Sequence, residues 1–359
     1  MPSYQVNRAL TQAHYGGGEF AECLEVASHI IPGDNESFHR AWIDMGNKVY
    51  ALGDQYAMHG QEVSARRSFL RAFNYIRTAE FFLKPDDPRK LPTYTKCVDA
   101  FQKAIIRFDQ KPLIIEVPFE GSFLSGYLFK PSNITKPPCM VMFGGLDSLS
   151  EELYFGISQH LNERGIALLA MDGPGQGASL RLRHILTRYD YNLAGTAVLD
   201  YAIRHLGDEI DTSRIGIGAV SMGGYMAARC AAFEPRFKVC MIFGAVWSYY
   251  DIWKNRPDNH PLASILMHIV GAENMTEARE KLKLFSLEGV ADKISMPTYV
   301  LHGEDDRQNF VENAYKVRDA LKCEHMVEII PKEESGSAHC QIDDFTKTFN
   351  MYDWVKERI

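Results

Sequence analysis

One serine, Ser221, stands among small residues in the segment Arg214-Ile-Gly-Ile-Gly-Ala-Val-Ser221-Met-Gly-Gly-Tyr-Met-Ala-Ala-Arg-Cys230, after an apolar strand-like run and before a helical pattern. A serine becomes a useful nucleophile when a sharp strand-to-helix turn holds its Oγ clear of the sheet, and only small neighbours let the backbone turn so tightly. Ala219, Gly223 and Gly224 are those neighbours. The first of these positions commonly carries glycine, so Ala219 requires a turn that tolerates a methyl group. The helix that follows would aim free N–H groups at an oxyanion forming beside Ser221. The bland alternative is a structural turn; the flanking strand and helix patterns favour the catalytic one.

A serine of this kind needs a general base and an acid to orient it, expected downstream in the order Ser, acid, His. Pro297-Thr-Tyr-Val-Leu-His-Gly303 reads as a buried strand, and Glu304, Asp305 and Asp306 follow it. The usual spacing, three residues after the glycine, selects Asp306, with Asp305 as the alternative. His339 lies in Ser335-Gly-Ser-Ala-His-Cys340, after a strand-like Met326–Ile330 and before a terminal amphipathic helix, well placed to serve as general base. The chain has twelve histidines, and position relative to the other two motifs singles out this one. Pro138-Cys-Met-Val-Met-Phe-Gly144-Gly145-Leu146-Asp147 runs from a strand into a glycine pair, where a second oxyanion donor belongs. The hole is expected from the Met222 N–H and a backbone N–H at Gly145 or Leu146. Asp172-Gly-Pro174-Gly-Gln-Gly177 reads as a loop-shaping turn; it lacks the Lys-Ser/Thr of a P-loop and the glycine spacing of a dinucleotide fingerprint.

These motifs need a scaffold. Residues 1 to about 110 read as helices: Phe38–Met58 and Glu62–Leu83 carry apolar residues at helical spacing, and Tyr94–Phe108 is a third. The region is dense in aromatic residues, including Trp42, Tyr50, Tyr56, Phe69, Phe73 and Tyr75. Most are expected to pack helices, although such a layer can also wall a substrate pocket. From Leu113 the period changes to strands, with Ile114–Val117 and Leu124–Phe129 joined as a hairpin around Gly121. Strands and helices then alternate, the pattern of a mostly parallel, doubly covered sheet. The segment 245–287 carries no strand signal and reads as an insertion. Trp247, Tyr250, Asp251 and Trp253 directly follow a strand end, where α/β proteins bind ligands, and are the candidate pocket residues.

Taken together in this order, the motifs from about Leu113 to Ile359 resemble an α/β-hydrolase. The closer resemblance is to the FrsA-like branch, which includes 2,6-dihydroxypseudooxynicotine hydrolase and fungal heptaketide hydrolases that shorten polyketides. It rests on Gly60–Phe81, on Phe119-Glu-Gly121 with Gly126-Tyr127-Leu128, and on Gly144-Gly-Leu-Asp-Ser148. The resemblance implies an α/β-hydrolase core at 111–359, with a cap-like insertion at about 245–287, behind a helical N-terminal cap domain at 1–110. It further implies cleavage of a carbon–carbon bond next to a ketone in an aromatic or polyketide-like substrate. The residues themselves read only as acyl-transfer chemistry, so a carboxylesterase, thioesterase or acyltransferase remains the alternative. A non-catalytic, ligand-binding homologue is the remoter one.

Composition sets the remaining expectations. A chain of 359 residues that is 46% hydrophobic can bury a substantial core and suits one large domain plus an accessory one. A net charge of −7 without a basic run argues against nucleic acid. The nearest basic cluster, Arg181, Arg183, His184 and Arg188, reads as a solvated or domain-facing loop that could meet an acidic substrate. Seven cysteines without close pairing or metal-ligand spacing point to reduced thiols, a cytoplasmic location and no metal or cofactor. No signal peptide or spanning segment is read, so no membrane partner is expected. The expected partners are a small-molecule substrate and a second copy of the chain in a homodimer.

Overall fold

The computed structural model describes residues 4–359. The chain divides into two compact units between Pro112 and Leu113.

The first unit is helical, with helices at Tyr4–Thr11, Phe20–Ser28, Asn35–Met58, Glu62–Phe81 and Lys90–Ile105. The third begins at Asp34, whose side chain accepts from the Glu36 N–H and so satisfies one of the open amides of the first turn. Trp42, Phe69, Phe73 and Tyr75 are all fully buried. They form this unit's own core, which is the packing role rather than a pocket wall. Tyr75 also donates its hydroxyl to Glu22 at 2.7 Å. At the end of the fourth helix the fully buried Glu80 pairs with Arg77 and, at 2.9 Å, with Lys90. Opposite charges thus leave water together, as a buried carboxylate requires.

The second unit is built on an eight-stranded sheet. Its strands are β1 (Leu113–Phe119), β2 (Ser122–Phe129), β3 (Cys139–Phe143), β4 (Ala167–Met171), β5 (Ile215–Val220), β6 (Cys240–Phe243), β7 (Thr298–Gly303) and β8 (His325–Ile330). Their order across the sheet is β1-β2-β4-β3-β5-β6-β7-β8. β1, β2 and β4 pair antiparallel, and every pair from β4 to β8 is parallel. Glu120 and Gly121, both at positive φ, make the two-residue turn between β1 and β2, matching the right-handed twist of a hairpin. All residues of β3, β4, β6 and β7 are buried, so both sheet faces are covered there; β1 instead alternates and shows one face to solvent. The strand and helix alternation of the sequence is therefore the architecture of this unit.

Residues between β6 and β7 fold into helices at Tyr249–Trp253, Ala263–Val270 and Met275–Leu282. The two ends of the excursion are tied together. Tyr249 N–H donates to the Phe285 carbonyl at 3.0 Å, and Leu287 N–H to the Trp247 carbonyl at 2.9 Å.

Candidate active site

β5 ends at Val220, and the helix Gly223–Phe233 begins three residues later. Ser221 lies in the turn at φ 61°, a left-handed conformation that costs a non-glycine residue about 1–3 kcal/mol. The surrounding packing holds it there: its N–H donates to the Phe243 carbonyl at 2.7 Å, and the Gly224 N–H donates to its own carbonyl at 2.7 Å. A Cβ on Gly224 would lie 2.0 Å from the Gly244 carbonyl oxygen, so only glycine lets the helix sit this close to the end of β6. Ser221 remains half-buried and reachable.

Ser221 Oγ is 2.7 Å from His339 Nε2, and His339 Nδ1 is 2.6 Å from Asp306 Oδ2. The other carboxylate oxygen, Asp306 Oδ1, accepts from the Gln308 and Asn309 amides, each at 2.8 Å. Both oxygens are therefore committed as acceptors. This fixes the histidine with a proton on Nδ1 and a lone pair on Nε2, the form that can accept the serine proton. Burial alone would raise the Asp306 carboxyl. The nearby His339, its hydrogen bond, His302 and the Asn309 amide outweigh burial and hold it below the usual carboxylate range. Asp305, by contrast, is exposed and pairs with Arg307 at 3.2 Å, while its N–H ties the loop to the Ser337 carbonyl.

Two loops shape the space beside Ser221. In the turn after β3, Gly145 approaches so closely that a Cβ there would lie 2.8 Å from Ser221 Cβ. Its N–H is not available to a substrate, because it donates to Ser148 Oγ at 2.8 Å. Gly145 is thus removed from the two expected donors, and the amides of Leu146 and Met222 remain. Gln176 fixes this turn: its side-chain amide donates to the carbonyls of Gly144 and Gly145 at 2.8 and 3.0 Å, while its oxygen accepts from Gly173 N–H and Tyr191 OH. The sequence offered Gln176 only as part of a glycine-rich turn, and its clamping role depends on a contact 31 residues away.

Asp172 organises the same region by accepting from the Ser150 and Ala178 amides at 2.7 and 2.9 Å. Next to it lies Glu151, hydrogen-bonded by Tyr127 OH at 2.9 Å. Burial, then the proximity of Asp172, pushes the Glu151 carboxyl up to about 8 from an ordinary 4.5. Burial raises the Asp172 carboxyl as well, but the Ala178 and Ser150 amides oppose it, and Glu151, which has no such pair of amides, is the member assigned the retained proton. A raised folded-state value gives stability that is fully present below the unfolded value and is lost as pH rises through the folded one. Urea midpoints are therefore expected to fall between about pH 5 and pH 8, and Glu151→Gln, which stays neutral, is expected to flatten that fall. Parallel pH profiles for the two proteins would reject the assignment.

The basic cluster does not await an acidic ligand. Arg181 pairs with Asp147 at 2.8 Å, Arg183 with Glu116 at 3.1 Å, and Arg188 with Glu120 and Asp190 at 2.7 and 2.6 Å. The expectation of an acidic substrate at that loop is corrected accordingly.

The four candidate pocket residues separate by helical period. In the helix Tyr249–Trp253 the buried positions are Tyr249, Ile252 and Trp253. Tyr250 and Asp251 fall on the opposite side. Asp251 is exposed and paired with Lys254 at 2.7 Å, and Tyr250 is half-buried under the Lys283 ammonium. Neither belongs to the buried face of this helix. Trp253 is buried, with His260 edge-on and the Arg256 guanidinium 4.7 Å from its ring centre. Trp247 is half-buried and anchors the chain through its N–H to Asn313 Oδ1 at 2.9 Å.

Among residues not singled out from sequence, His302 is completely buried beside the acid. The Ala245 N–H donates to its Nδ1 at 3.0 Å, so Nε2 carries the proton and donates to the Asn309 carbonyl at 2.7 Å. It ties the end of β6 to the loop holding Asp306. Its signal was present in the sequence only as one more histidine in a buried strand. All seven cysteines are free thiols, and Cys340, at φ 52°, places Sγ 3.6 Å from His339 Nε2. Among the described residues no helix is long and apolar enough to cross a membrane.

The strand order, with these side chains on the loops after β5, β7 and β8, is that of the α/β-hydrolases as a class. Within it, the family model described as "Esterase FrsA-like" matches residues 7–282, and the chain belongs to that family. The hydrolyase poxO of Penicillium oxalicum is 37% identical over 261 residues, covering 70% of this chain and 61% of that protein. The 20-hydroxy-prefusarin hydrolase FUS2 of Gibberella moniliformis is 35% identical over 263 residues, covering 71% and 62%. The match thus spans about three fifths of the length of these relatives. The hydrolase LUC6 of a Fusarium species is 32% identical over 361 residues, covering 89% and 86%. Among solved structures, a 2,6-dihydroxy-pseudo-oxynicotine hydrolase superposes with a TM-score of 0.84 over 97% of this chain and 95% of its own, at 22% identity, a likeness of fold.

Proposed function

We propose that the chain is a serine hydrolase that cleaves a carbon–carbon bond next to a ketone in an aromatic or polyketide-like substrate. The observation that carries the chemistry is the continuous hydrogen-bonded row Ser221–His339–Asp306, with the nucleophile on a left-handed turn. Ser221 Oγ attacks the ketone carbon while His339 Nε2 takes its proton. The Met222 and Leu146 amides receive the oxyanion. As the intermediate collapses, the carbon–carbon bond breaks, its electron pair goes to the departing carbon, and the His339 imidazolium delivers the proton to that carbon. Water, activated by the same imidazole, then hydrolyses the acyl-enzyme to a carboxylic acid. The net change is addition of one water across the bond. The relative named for hydrolysis of 20-hydroxy-prefusarin supports a secondary-metabolite substrate.

The family's own description as an esterase favours a second reading, a carboxylesterase acting on an aromatic acyl substrate. The two differ in what leaves. An alkoxide departs once protonated, whereas a carbon leaving group needs its charge delocalised. An enzyme built for carbon–carbon cleavage commits binding energy to the remote part of a larger substrate and turns over small activated esters poorly. Slow hydrolysis of p-nitrophenyl acetate is expected, with faster cleavage of aromatic substrates bearing a ketone side chain. In D2O, deuterium should appear on the carbon that left. Efficient hydrolysis of simple esters with no cleavage across a panel of such ketones would leave the carboxylesterase.

A further inference from the structure

Carbon–carbon cleavage makes a demand that the row of Ser221, His339 and Asp306 does not meet: the departing carbon must pass its charge to an oxygen, and that oxygen needs donors. Asp251 is a carboxylate paired with Lys254, and Tyr250 lies off the buried face of its helix under Lys283. Two other groups can supply those donors: Tyr249, on the buried side of that helix, and Arg256, three residues beyond its end.

Tyr249 is 3% exposed, and among the described residues its hydroxyl makes no hydrogen bond to another protein group. A phenol whose ring is buried while its hydroxyl is neither sealed off nor bonded to protein keeps a donor that it can give to a ligand. The hydroxyl lies within electrostatic reach of both the Arg256 guanidinium and the Cys340 thiol, and that thiol is 3.6 Å from His339 Nε2. Arg256 is half-buried and donates to the Gln308 carbonyl at 2.6 Å, on the loop whose amides hold Asp306. Unlike Arg181, Arg183, Arg188, Arg279 and Arg307, it forms no ion pair with a carboxylate among the described residues. Asp306, the anion within its reach, has both oxygens already occupied by His339 and the Gln308 and Asn309 amides.

The backbone carrying Arg256 is held in place. Arg279 donates to the carbonyls of Trp253 and Arg256 at 3.2 and 2.7 Å and pairs with Asp258 at 2.6 Å. The Trp253 ring supports the guanidinium at 4.7 Å. A half-buried cation fixed on the Asp306 loop and a phenol whose hydroxyl has no protein partner among the described residues form a donor pair able to take an anionic oxygen.

We propose that Tyr249 and Arg256 form the subsite that receives the enolate oxygen of the leaving half of a 1,3-dicarbonyl substrate. The inference rests on the carbon–carbon reading above and assigns its substrate class: ketones with a second carbonyl, or an equivalent ring oxygen, two carbons from the one attacked. When the bond breaks, the electron pair on the departing carbon delocalises onto that second oxygen, where the guanidinium and the phenol stabilise it. His339 then protonates the carbon, and the neutral ketone leaves.

The test compares an aryl 1,3-diketone with the phenyl ester of the same acyl group, because both use the same nucleophile and oxyanion hole and only the first needs the leaving-group subsite. For Arg256→Gln the ratio of kcat/KM on the diketone to that on the ester is expected to fall about 30-fold, and for Tyr249→Phe about 10-fold, with Arg256→Lys recovering part of the loss. An equal fall on both substrates would show that Arg256 acts through the Asp306 loop and would overturn the subsite. An unchanged ratio would overturn it as well. A second measurement separates this inference from the reading beneath it: binding of the same diketone to Ser221→Ala, followed through the near-ultraviolet band of its enolate. Arg256→Gln in that background is expected to weaken binding about 10-fold or more. Cleavage of the diketone by the wild type with an unaltered ratio in the variants would end the subsite and keep the carbon–carbon reading. Arg256-dependent enolate binding by a protein that hydrolyses only esters would keep the subsite and end that reading.

Discussion

Ser221→Ala and His339→Ala are each expected to lower kcat by about 10³-fold or more, and the double variant to lose little beyond either single one. The 2.7 Å contact between Oγ and Nε2 makes the two side chains one device, since a hydroxyl without its base is a poor nucleophile and a base without its hydroxyl has nothing to activate. What survives in either variant is binding and the donors at Met222 and Leu146. Steady-state turnover on the best substrate found gives the rates. A fluorophosphonate probe gives an independent reading, with labelling abolished in Ser221→Ala and slowed in His339→Ala. Near-wild-type turnover in either single variant would reject the assignment, and a probe-silent wild type would favour the non-catalytic, ligand-binding alternative.

The second large effect concerns two neighbouring carboxylates. Asp306→Asn is expected to reduce kcat by about 10³- to 10⁴-fold, and Asp305→Asn to leave it within about twofold. In Asp306 one oxygen accepts from two backbone amides and the other from His339 Nδ1. An asparagine has one acceptor end and one donor end. Turning its oxygen to the two amides preserves the loop but presents NH2 to the imidazole, which must then carry its proton on Nε2, and that tautomer cannot accept from Ser221. Asp305 faces solvent beside Arg307, where an amide replaces the carboxylate at little cost. Circular dichroism and a melting curve for each variant would confirm that folding is intact. The reverse ranking of rates would transfer the acid role to Asp305.

What could be read from sequence and what could not divides along a physical line. Ser221, Asp306 and His339 each sit at a junction whose local pattern is strong: an apolar strand, a small-residue turn, then a helix or loop at a set spacing. The alternation of strands and helices after Leu113 is local for the same reason. Tyr250 and Asp251 were picked because they follow a strand end, but a strand end does not reveal the phase of the helix that comes next. A rotation of one residue, about 100°, exchanges Tyr250 for Tyr249. Gln176, His302 and Arg256 act through contacts with carbonyls or amides 31, 57 and 52 residues away. No pattern within a window of sequence encodes such pairings. Gly145 was half legible: its closeness to Ser221 follows from its position after β3, but the diversion of its N–H to Ser148 is visible only in three dimensions.

The excursion between β6 and β7 is drawn shut at its base by the bonds from Tyr249 to Phe285 and from Leu287 to Trp247. A loop pinched in this way has its register set at the neck, so residues added to or removed from its interior leave the two parallel strands in step. The sheet then acts as a fixed socket, and the residues above the neck act as an insert whose length can change while Ser221, His339 and Asp306 keep their spacing.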